Sequence, residues 1–116
     1  MDNLLHIRLR ATSPERGHDR GYQMRLGTDL FGYWRVLIAF GRYGTGGTLK
    51  ARYFENRIEA FTFIEQQLKR RLTAHKRIGC SYQILSVEGR NDILALVNNK
   101  TIERFSRVNT FKEIKG

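Results

Sequence analysis

Little in this chain suits covalent or metal chemistry. A single cysteine, Cys80, excludes an internal disulfide and a cysteine metal cluster. With no identified histidine partner it reads as a small inert hydrophobe, not a nucleophile. The histidines, His6, His18 and His75, are widely spread in sequence and suggest no metal site. Acids number only 11 and are scattered, so acid–base catalysis by paired carboxylates has no visible basis. The expectation is a non-enzyme with no catalytic residue, no metal and no cofactor. No apolar run is long enough to span a bilayer. In the opening MDNLLHIRLR the cations follow the apolar residues, which is not the layout of a signal peptide. A cytoplasmic protein without membrane attachment is expected.

Positive charge, by contrast, is abundant. The 116 residues include 21 Lys and Arg, for a net charge of +10. Between Arg35 and Arg77 lie ten cations against three acids, a balance of +7. Clustered positive charge on one domain is the electrostatic footprint of a nucleic-acid binder, although solvated charge on a plain soluble protein has the same composition. The length implies one domain, and 41% apolar residues suffice for a core.

The centre of the chain is WRVLIAFGRYGTGGTLKARYF, residues 34–54. Two β-prone runs separated by a glycine-rich segment predict a hairpin. Period 2 puts Trp34, Val36, Ile38 and Phe40 on one face. Leu37 and Ala39 opposite are also apolar, which predicts a strand covered on both sides. In the following strand Lys50, Arg52 and Phe54 share a face. Upstream, residues 3–10 alternate as a half-buried strand with Leu5, Ile7 and Leu9 inward. Residues 11–20 hold the only proline and read as a surface loop. Residues 21–26 alternate again, and 27–32 form a turn.

A helix is predicted over residues 56–78. Asn56 followed by Glu59 resembles a capping arrangement, and Ile58, Phe61, Ile64, Leu68, Leu72 and His75 form an apolar stripe. The last turns hold Lys69, Arg70, Arg71, Lys76 and Arg77, where cations also complement the helix dipole. Gly79 is a plausible stop. Residues 81–87 read as a strand, 88–92 as a turn, 93–97 as strand or helix, and 101–108 as helical; residues 109–116 are expected to be loose.

Several pieces in this order resemble the WGR domain family, and most closely its stand-alone bacterial members. The family's Trp-Gly-Arg triplet stands here as Phe40-Gly41-Arg42, followed by Tyr43-Gly44. Before it come the run from Tyr22 to Leu26, the Asp29-Leu30-Phe31-Gly32 segment and Trp34. After it come Gly46, Gly47, Ala60, Phe63, Lys76, and Gly79 ahead of Tyr82. The resemblance implies a small antiparallel sheet crossed by one long helix. It also implies a role, since in the poly(ADP-ribose) polymerases this domain contacts DNA at strand breaks. There the motif tryptophan packs on sugar, and the motif arginine with nearby cations holds the backbone. By position Phe40 is the packing residue and Arg42 the phosphate or base-edge contact. A phenyl ring keeps the apolar face but loses the indole N–H.

The expectation is therefore an α+β fold: a small antiparallel sheet, one long helix across one face, and a short C-terminal helical extension. Residues 1–88 are expected to form the WGR-like domain, with a matching core at 22–82, and residues 89–116 the extension. The chain is expected to bind nucleic acid, most of all DNA and including strand breaks or ends, with weak sequence preference. Phe40, Gly41, Arg42, Tyr43, Lys50, Arg52, Lys69, Arg70, Lys76 and Arg77 are the candidate binding residues. Arg42 is not needed for turning and forks well onto phosphate; Tyr43 at the loop tip suits stacking. The rival reading is a protein-interaction module docking an acidic partner, with an edge strand available for pairing. None of these features sets the oligomeric state.

Overall fold

A computed structural model describes residues 3–105, apart from the side chains of Arg77 and Ile78. Four strands follow one another as an antiparallel meander: β1 (Leu5–Ser13), β2 (His18–Thr28), β3 (Trp34–Arg42) and β4 (Thr48–Phe54). Helix α1 (Arg57–Leu72) crosses the sheet, α2 (His75–Ile78) follows, and β5 (Tyr82–Gly89) returns antiparallel to β1. The sheet order is β4-β3-β2-β1-β5. A short helix, α3 (Asn91–Leu94), and a helical stretch at 99–105 complete the described chain.

Register explains the core. Residues directly opposite across an antiparallel pair share a face. Leu5 pairs with Leu26 and that with Val36; Ile7 pairs with Met24 and that with Ile38; Leu9 pairs with Tyr22 and that with Phe40. These three rows form a continuous apolar surface, and all but the half-buried Phe40 are buried. Helix α1 lays Ala60, Ile64, Leu68 and Leu72 on it. The Asn56 side chain caps this helix, accepting from the Glu59 N–H at 2.9 Å. Ile93, Val97 and Phe105 enter the same core. Thr101 is buried with them and donates its hydroxyl to the Glu65 carboxylate.

Several expectations are corrected. The helix does not run unbroken over 56–78: it stops at Thr73, whose hydroxyl donates to the Arg70 carbonyl at 3.2 Å, and restarts at His75. That side-chain bond competes with the helical ladder. Ile64, Leu68 and Leu72 of the expected stripe are buried, but its ends are not, with Ile58 74% exposed and His75 exposed beyond the break. Residues 11–20 are not a loop, because β1 and β2 extend to a tight 3-10 turn at Pro14–Arg16. Leu37 and Ala39 are not covered on both sides; they are half-buried on the face away from α1. Of residues 93–97, read as strand or helix, Ile93 and Leu94 close α3 and 95–97 form a turn. The predicted helix at 101–108 is seen through residue 105, and its remainder, with residues 109–116, lies outside the described residues.

Candidate nucleic-acid interface

The hairpin carrying the altered triplet ends at the rim of the sheet beside the last turn of α1. Strand parity aims Phe40 and Arg42 toward the helix side, since Phe40 opposes Tyr22 and Arg42 opposes Arg20. The turn after Arg42 depends on glycine: Gly47 has φ +61°, and a Cβ there would collide with the Phe40 carbonyl. Only a residue without Cβ meets both demands at once. The close approach draws β4 against the end of β3 and fixes where Arg42 emerges.

A cleft of about 500 Å³ opens there. Arg20, Arg42, Arg70 and Arg71 line it, with Phe40, Tyr22 and Tyr82 forming apolar wall. Arg71 stacks on the Tyr22 ring, 3.8 Å from its centroid. Burial pushes the Tyr22 phenol above its ordinary value, and the Arg71 charge pulls in the opposite direction. His18 Nδ1, on another lining residue, is buried and makes no hydrogen bond among the described residues.

Asp19 also lines the cleft, but strand parity turns its carboxylate to the face away from α1. Arg10 holds it through two hydrogen bonds of 2.9 and 2.8 Å. That pairing keeps the Asp19 carboxyl below its usual value and raises Arg10 above its own, with Arg42 a further influence on Asp19. Arg42 itself has no ion pair within 4 Å among the described residues. The cleft therefore presents several guanidinium groups, whose forked donors match phosphate oxygens.

Of the sequence-derived candidates, Phe40, Gly41, Arg42 and Arg70 come together in this cleft. Lys50 stands beside it, its ammonium 5.6 Å from the Phe40 ring centroid. Arg52 lies farther along, over the Phe63 ring at 5.6 Å. Three candidates are placed elsewhere. Lys69 is on another flank of α1, 3.9 Å from Glu65. Lys76 is exposed on α2 but does not line the cleft. Tyr43 turns to the opposite side of the sheet, where Arg10 covers its ring at 3.8 Å. The Arg77 side chain lies outside the described residues.

Sequence reasoning missed Arg20 and Arg71 as site residues. Arg20 lies in the segment expected to be a loop, and Arg71 belongs to the cationic cluster at the helix end without being among the candidate binding residues. The alternation of Arg20 with Tyr22 was the available signal, and the register of β2 against β3 gives it meaning.

The family model of the WGR domain matches residues 5–76, from β1 to the start of α2. No curated protein matches the chain. Among the described residues no helix is long and apolar enough to cross a membrane, and no cluster of His, Cys, Asp or Glu is arranged to hold a metal ion.

Proposed function

The chain belongs to the WGR domain family, and from that premise we propose that it is a non-catalytic DNA-binding module acting in the cytoplasm. WGR domains are nucleic-acid-binding modules in poly(ADP-ribose) polymerase-like proteins and are generally non-catalytic. The observation that supports the reading here is the convergence of motif Arg42 with Arg20, Arg70 and Arg71 around Phe40. Asp19, which also lines the cleft, has its carboxylate engaged by Arg10. Phosphate of a DNA backbone enters between the arginines, and the Phe40 ring packs on sugar beside it. A site built of cations and aromatic surface holds backbone and reads little sequence.

The test is a fluorescence titration of the whole protein against intact, nicked and single-stranded DNA at two salt concentrations. Engagement of four phosphates on duplex predicts a log–log salt slope of about −3.6, at roughly −0.9 per phosphate. Replacing Arg42 and Arg70 by alanine is expected to weaken duplex or nicked-DNA binding at least tenfold, with the circular dichroism spectrum unchanged. Affinity that hardly changes with salt contradicts the proposal. Tighter binding of an acidic polypeptide than of DNA at matched charge favours docking of a protein partner instead.

A further inference from the structure

The cleft lies on the helix side of the sheet, and among the described residues no helix covers the other side. Register places a second set of arginines there. Arg35 on β3 lies beside Gly27 on β2, Arg25 on β2 beside His6 on β1, and Arg8 on β1 beside Gln23 on β2. Each step from Arg35 to Arg25 to Arg8 moves one strand sideways and two residues along. Strand spacings of about 4.8 Å and 3.4 Å per residue make each step about 8 Å. A diagonal of guanidinium groups thus crosses three strands. Arg8 and Arg35 have no carboxylate partner among the described residues. The nearest acids on this face are Asp19, held by Arg10, and Glu88, opposite His6 at the β5 edge.

The same face is two-sided. Its β1 and β2 half, joined by Arg35 on β3, is cationic and polar. Its β3 and β4 half carries Leu37, Ala39, Leu49 and Tyr53. Leu49 is 67% exposed and Tyr53 58% exposed, so these groups form accessible apolar surface, not core.

We propose that this open sheet face is a second binding surface, separate from the cleft, and that it takes single-stranded nucleic acid. A single strand has the same two-sidedness: phosphodiester along one edge and unpaired bases along the other. Phosphates follow Arg35, Arg25 and Arg8 while bases lie over Tyr53 and its apolar neighbours, where every base offers a π face. A duplex hides its bases and leaves Tyr53 and Leu49 in water. An acidic polypeptide satisfies the arginines but has no planar groups for the apolar half.

Whole protein is titrated with labelled oligothymidylate, blunt duplex and oligoglutamate of matched charge. Arg8→Ala/Arg25→Ala/Arg35→Ala, which removes three phosphate contacts, is expected to weaken oligothymidylate binding by about tenfold or more and to leave blunt duplex affinity unchanged. The Arg42→Ala/Arg70→Ala protein is expected to do the reverse, so failure of the cleft reading is seen separately. In unaltered protein, 4-thiothymidine in the oligonucleotide is expected to crosslink to peptides of β3 and β4 that contain Arg35 or Tyr53, a result independent of how any variant folds. Oligothymidylate binding retained by the triple variant, crosslinks confined to residues of the cleft, or equal binding of oligoglutamate each overturns the proposal.

Discussion

Tyr22 shows how one side chain serves both core and cleft. Its ring is buried in the sheet surface, and the Arg71 guanidinium closes over it at 3.8 Å. Burial raises the phenol above its ordinary value because the phenolate loses solvation. The sign for stability follows. The folded state holds this proton more tightly than the unfolded chain, so the contribution is fully present below pH of about 10 and is lost as pH rises through the folded value. Arg71→Met removes a cation that favours the phenolate while keeping a side chain over the ring, so the Tyr22 titration is expected to move still higher. Absorbance of ionised tyrosine against pH, compared with a Tyr22→Phe protein, measures it; an unmoved or lowered titration contradicts the assignment. Residue identity also marks Arg42 as a candidate, since an arginine between glycines has no turning function, and the structure sets it at the end of β3. The direction of Tyr43 was not legible in this way. Its backbone N–H donates to the Asp19 carbonyl at 2.9 Å, and that bond to a distant strand sends the ring to the other side of the sheet.

Among the elements, α1 is where local signals were both most and least reliable. Its start was legible because capping is a short-range interaction: the Asn56 oxygen meets the Glu59 N–H three residues on. Asn56→Ala is expected to cost about 1 kcal/mol, read as a lower urea midpoint, with duplex binding unchanged because the cleft lies at the other end of the helix. A change in DNA affinity equal to that of the Arg42 variant contradicts this separation. The helix's facing was less legible, since sequence periodicity admits neighbouring stripes on one cylinder. The sheet selects the stripe that begins with small Ala60, fully buried, and leaves Ile58 in solvent. In β3 the pattern of apolar residues on both faces suggested two coverings. Among the described residues the helices pack on one side, and Leu37 and Ala39 are half-buried on the other.

At the scale of the molecule, one core unites the strands, α1 and the C-terminal helical segments. Phe105 is 1% exposed within that core, although the family match ends at residue 76. The extension therefore supports the sheet, and Phe105→Ala is expected to destabilise by about 3–5 kcal/mol, the usual cost of deleting a buried aromatic. Chemical denaturation measures this, and a loss under 1 kcal/mol means the extension is dispensable. The two cationic faces stand on opposite sides of this body, joined at the rim where Arg42 and Tyr43, adjacent in sequence, diverge. What the sequence determined by itself was whatever depends on near neighbours: strand parity in Leu5, Ile7 and Leu9, the cap at Asn56, the glycine hairpin, the excess of positive charge and the family resemblance. Which arginines stand together was decided only by the tertiary structure. Arg20 meets Arg42 through the pairing of β2 with β3 and meets Arg70 through the crossing of α1, and Arg8, Arg25 and Arg35 align through register across three strands. Such partners are separated by tens of residues, and hydrophobic packing of the whole sheet, not local preference, sets their distance.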